Sequence, residues 1–136
     1  MTKPLLHGDY EYWFQRTVDA FDKALTANEK RKNPLPCFVI THHAPSGKCI
    51  SKEYDESPLN CGFVSDLEWL IEKHHSIRCW AYGHLHACKE FKYVRKDGSE
   101  VLMLNNSRGY VMSFEDSDFD KNLMVDTETW EVSRSV

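Results

Sequence analysis

The 136-residue chain is poor in glycine and proline, with 6 and 5 residues, and lacks internal repeats and low-complexity tracts, so collagen-like, linker-like and solenoid architectures are excluded. No apolar run approaches the roughly 20 residues that cross a bilayer. Residues 1–6 do not form a basic region followed by an apolar one, so a cytoplasmic protein with no membrane partner is expected. The cysteines, Cys37, Cys49, Cys61, Cys79 and Cys88, are odd in number and form no C-x-x-C pair, which argues against a disulfide framework or a zinc ribbon. Basic charge is not in excess: 17 Lys and Arg stand against 21 Asp and Glu, a net charge of −4, so no nucleic-acid footprint is present. What is present, 41% apolar and 12% aromatic residues, suits a folded globular chain of ordinary domain size.

Tyr10, Trp13, Phe14, Val18, Phe21 and Leu25 form one helical stripe, with Asp9 as a candidate N-cap and an expected end near Thr26. Trp13, Phe14 and Phe21 are expected in the core. Cys37-Phe38-Val39-Ile40-Thr41 reads as a buried strand ending at His42-His43-Ala44-Pro45, and residues 46–58 as a long loop. A second helix is expected on Phe63, Leu67, Leu70 and Ile71, with Asp66, Glu68 and Glu72 facing solvent and His74-His75 at its end. A second buried strand at 77–82 stops at Gly83-His84-Leu85-His86. Residues 90–95 and 100–105, joined by Lys96-Asp97-Gly98-Ser99, predict a β-hairpin. A short strand near Val111 and apolar segments at 123–126 and 130–132 follow.

Each buried strand thus ends in histidines. Ligands of open α/β sheets bind at the carboxyl ends of strands, so the two clusters share a cleft if the strands are parallel neighbours joined by the helix between them. Neutral imidazole is a common ligand of Zn, Fe and Mn, and the alternation of an extended H-x-H segment sends both rings to one side. The alternative is that these are ordinary loop and hydrogen-bonding histidines. Asp116, Asp118 and Asp120 resemble a calcium loop only in their alternation, because Lys121 and Thr127 stand where Gly and Glu are needed. Asn105-Asn106-Ser107 matches a glycosylation acceptor, which carries little weight without a secretion signal.

Three ordered blocks carry a resemblance: Val39-Ile40-Thr41-His42-His43-Ala44-Pro45-Ser46, Ala81-Tyr82-Gly83-His84-Leu85-His86 and Asn106-Ser107-Arg108-Gly109-Tyr110. Together they resemble the last blocks of calcineurin-like metallophosphoesterases, over about residues 7–110, most of the chain. The resemblance implies an α/β fold, a β-sandwich with flanking helices. It also implies a two-metal site of Mn, Fe or Zn that hydrolyses phosphomonoesters or phosphodiesters with metal-activated water. By the same resemblance His42 and His84 bind one ion and His86 its neighbour, with His43 the alternative to His42 as ligand. His43 is otherwise the catalytic group that protonates or orients the leaving group. Arg108 would order the loop beside the site and meet the phosphate-ester substrate, with Ser107 where the pattern has Pro.

The family's D-x-H, G-D-x-x-D and G-N-H-D or G-N-H-E blocks do not occur in this sequence. Only 36 residues precede the strand at Cys37, too few for the βαβ units that carry them. Residues 1–136 are therefore expected to form a single truncated domain, the C-terminal half of the phosphoesterase fold. Two dications about 4 Å apart repel by roughly 15 kcal/mol at an effective dielectric of 20, which neutral imidazoles do not offset. One ion at most is expected on this chain alone, and a homodimer or a missing N-terminal half are the expected partners. The alternative function is a non-catalytic metal-binding or protein-interaction module built on the same fold.

Overall fold

In the computed structural model, residues 6–52, 57–110 and 118–134 are described. The chain divides into two compact units, Met1–Leu35 and Pro36–Val136.

The first unit is helix α1, His7–Glu29. Its N-cap is Leu6, not Asp9: the Asp9 carboxylate accepts from the Leu6 N–H at 2.8 Å, and the Asp9 N–H donates to the Leu6 carbonyl at 2.9 Å. A carboxylate inside the first turn satisfies an orphan donor and suits the helix dipole, so the helix begins upstream of its acid. Beyond Lys30, the Asn28 carboxamide exchanges two hydrogen bonds with the backbone of Leu35 and fastens the turn that follows. Val18 and Leu25 are buried, but Trp13 and Phe14 are 58% and 46% exposed, which corrects their expected place in the core. These rings belong to a surface aromatic group: Tyr12 meets Trp13 edge-on, and the Arg16 guanidinium lies within 5.6 Å of both ring centroids.

The second unit is built on a four-stranded mixed sheet. Strands β1 (Cys37–Thr41) and β2 (Ile77–Tyr82) fall at their predicted bounds, and β3 (Lys89–Val94) and β4 (Glu100–Asn105) form the predicted hairpin. Gly98 takes φ +86° in its turn, a conformation that side-chain-bearing residues resist. The sheet order is β1-β2-β4-β3, with β1, β2 and β4 parallel and β3 antiparallel to β4. Three strands therefore end at the same edge of the sheet, and the segments after them all start there.

Register divides the sheet's faces. Phe38, Cys79 and Leu102 align on one face, as do Ile40, Ala81 and Leu104. Against Cys79, Leu102 and Leu104 pack Leu123 and Val125 of β5 (Leu123–Val125), Val132 of β6 (Val132–Arg134) and Trp130 between them. On the opposite face Val39, Trp80, Met103, Val101 and Tyr93 align, and all are buried. The Tyr93 hydroxyl reaches Glu68 at 3.0 Å and Glu72 at 2.8 Å, fixing helix α2 (Glu68–Lys73) to this side. Buried Arg95 donates to the carbonyls of Ile71, His74 and Ile77, capping the end of α2 and tying it to β2.

Helix α2 is only six residues long and does not extend back to Phe63. Residues 63–67 instead run beside the segment after β1: Ala44 N–H donates to the Phe63 carbonyl, Ser65 N–H to Ala44 and Leu67 N–H to Pro45. These tertiary hydrogen bonds outweigh the helical period of the side chains. Glu68 and Glu72 are not simple solvent-facing acids either, since Glu68 also accepts from Ser46 and from Lys48 at 2.9 Å. The expected strand near Val111 lies outside the described residues. Among the described residues, no helix is long and apolar enough to cross a membrane.

Candidate metal centre

The parallel pairing of β1 with β2 brings Thr41 opposite Tyr82, so the chain leaves both strands side by side. The Gly83 N–H donates to the His42 carbonyl at 3.0 Å, extending the ladder by one bond into the histidine loops. A Cβ at Gly83 would lie 3.6 Å from His42 Nδ1 and 3.7 Å from the His42 carbonyl oxygen, ordinary contact distances. Thr41 fixes the next turn: its hydroxyl donates to the His43 carbonyl at 2.7 Å and accepts from Trp80 Nε1 at 2.9 Å.

After Gly83 the backbone turns sharply. The Leu85 N–H donates to the Gly83 carbonyl at 2.7 Å, and His84 between them sits at φ +65°. A residue with a side chain there carries on the order of 1–3 kcal/mol of strain, and such strain gathers at functional positions. Phe63 stacks on the His84 ring at 4.8 Å and 29°.

The result is a cluster of three rings. His42 and His84 have centroids 4.8 Å apart, His43 and His84 4.8 Å, and His42 and His43 5.3 Å. Partial burial, then the charges that His84 and His42 can carry, lower the pKa of His43 below the ordinary imidazole value. Imidazoles bound tetrahedrally to one ion through nitrogens at about 2.1 Å have centroids about 5 Å apart, so the observed spacing fits a single ion. Among the described residues no group of three or more His, Cys, Asp or Glu is set at ligand geometry for a metal.

Of the residues expected at the site, His42, His43 and His84 are brought together. His86 turns to Tyr110, with centroids 4.6 Å apart and rings nearly perpendicular. Arg108 is exposed in the segment after β4. A depression of about 370 Å³ is lined by Ile40, Thr41, Ala81, Gly83, Leu104 and Ser107, with none of the histidine rings in its wall. Asp118 is exposed, and Asp120 is engaged with Asn106, whose carboxamide donates to the Asp120 carbonyl and accepts its N–H. Residues 53–56, including Glu53 and Asp55, lie outside the described set.

The residues that sequence reasoning misses are those that hold the rings: Thr41, Phe63, Trp80 and Asn105. Only Thr41 and Asn105, the last residues of strands leading into motif loops, occupy positions that could have drawn notice. Asn105 is buried with its carboxamide fully engaged, which removes the glycosylation reading. Comparison with protein-family models, curated proteins and solved structures found no match.

Proposed function

We propose that this chain carries the histidine half of a metallophosphoesterase centre, acting on phosphomonoesters or phosphodiesters. The observation that supports this most is the meeting of His42, His43 and His84 at the ends of two parallel strands, with His84 held at positive φ. In this reading His42 and His84 hold one ion of Zn, Mn or Fe, and His86 belongs to a neighbouring ion. The bound ions would supply Lewis acidity toward the phosphoryl oxygens and the attacking water. His43, neutral at pH 7, orients the leaving group through a ring N–H, and Arg108 offers its guanidinium to phosphoryl oxygen. Oxygen ligands for the second ion come from a carboxylate-bearing N-terminal half on another segment or chain. The resulting fold is a β-sandwich with flanking helices, of which this chain is the back half.

The nitrogen-only ring cluster also supports a second reading, a mononuclear metal-binding module without catalysis. Elemental analysis after Zn²⁺ or Mn²⁺ loading, paired with aryl phosphate and aryl phosphodiester hydrolysis, tests both. One ion per chain, with turnover once a carboxylate-bearing half is supplied, supports the phosphoesterase. One ion with no turnover in that complex supports the module, and no ion overturns both.

A further inference from the structure

Asn105 closes β4 at the edge of the sheet where β1 and β2 also end, and it is 2% exposed. Its Nδ2 donates to the Leu85 carbonyl at 2.7 Å and to the Ala87 carbonyl at 2.9 Å, the carbonyls of the two residues that flank His86. Its Oδ1 accepts from the Ser107 N–H at 3.0 Å and from the Ser107 hydroxyl. A carboxamide has two N–H donors and two acceptor lone pairs, and here all four are used. One buried side chain thus joins the segment that bears His84 and His86 to the segment that bears Arg108 and Tyr110. Where those segments meet, the His86 ring rests on Tyr110.

We propose that Asn105 is a positioning residue that sets the direction of His86 by clamping the carbonyls on either side of it. This rests on the reading that His86 is a metal ligand, but the clamp itself is a property of the chain without metal. Groups outside the coordination sphere commonly orient a ligand for its metal. The sharing of the amide is asymmetric. The donors hold the histidine segment, the acceptor holds the Ser107 segment, and substitutions separate them. Asn105→Asp keeps the acceptor for Ser107 and turns lone pairs toward the Leu85 and Ala87 carbonyls, so it releases only the histidine side. Ser107→Ala keeps both donors to that side.

The test is NMR of the metal-free chain, read at the His86 to Tyr110 ring contact, with Co²⁺ affinity measured on the same samples. Asn105→Asp is expected to abolish the ring contact, and Ser107→Ala is expected to leave it unchanged. A folded Asn105→Asp chain that keeps the ring contact overturns the proposal, as does loss of that contact in Ser107→Ala. If Asn105→Asp does not fold, the wild-type chain decides: through-hydrogen-bond couplings from Asn105 Nδ2 to the Leu85 and Ala87 carbonyl carbons are expected, and their absence overturns the clamp. A wild-type chain that keeps the ring contact but binds no Co²⁺ counts against the metal reading while supporting the clamp.

Discussion

Trp80 and Thr41 are joined across β1 and β2 by the indole N–H, which donates to the threonine hydroxyl at 2.9 Å while that hydroxyl donates to the His43 carbonyl at 2.7 Å. Trp80 is fully buried, so its N–H has no recourse to bulk water. The hydroxyl therefore serves both the core and the histidine loop. Thr41→Val keeps the shape and removes the acceptor. An expected loss of about 1–3 kcal/mol in denaturant unfolding follows from the stranded N–H. Thr41→Ser should recover most of it.

His84 holds a conformation that glycine adopts freely. His84→Gly is expected to raise unfolding stability, by about 1 kcal/mol in chemical denaturation, even though it deletes the stacking on Phe63. His84→Ala retains the strained φ and should not stabilise. Both should lose tight metal binding. A stabilised variant without metal affinity is the signature of strain kept for function.

Burial and the neighbouring His84 and His42 depress the pKa of His43, so the folded chain binds fewer protons there than the unfolded chain just below pH 6.5. Stability tied to the neutral ring is present above the unfolded value and is lost as pH falls through the folded one. The wild-type chain should lose stability across this acid window, and His43→Asn should lose less, as followed by thermal unfolding at a series of pH values. Metal affinity should decline over the same range, because coordination requires neutral imidazole.

Arg95 is the most exacting group away from the rings, since it serves the carbonyls of Ile71, His74 and Ile77 at 2.6, 3.0 and 2.8 Å. Arg95→Met preserves the stem and strands these oxygens. The expected cost is at least about 3 kcal/mol in equilibrium unfolding, with Arg95→Lys recovering only part, because an ammonium does not reproduce the guanidinium fork.

The strands β1 and β2 are legible in the sequence because each is an unbroken apolar, β-rich run that ends where the histidines begin. Their parallel adjacency follows from the connection between them, and with it the convergence of His42, His43 and His84. The hairpin is legible through Asp97-Gly98, where only the glycine suits the turn. The true length of α2 is hidden because residues 63–67 are claimed by backbone bonds to Ala44 and Pro45, which leave no trace in side-chain periodicity. Asn105 is hidden for a similar reason: its partners lie 18 and 20 residues away and are carbonyls, which every residue possesses. The helical stripe of α1 correctly marks a helix but not burial, since Trp13 and Phe14 occupy it and remain exposed.

The most direct measurement is the metal content of the purified chain after loading with Zn²⁺ or Mn²⁺ and desalting, run beside His84→Ala and His42→Ala. The cluster of three rings should retain one ion per chain, and each substitution should abolish it while the chain stays folded by circular dichroism. A wild-type chain that retains no ion, or variants that retain the wild-type amount, would contradict the assignment of these histidines as a metal centre.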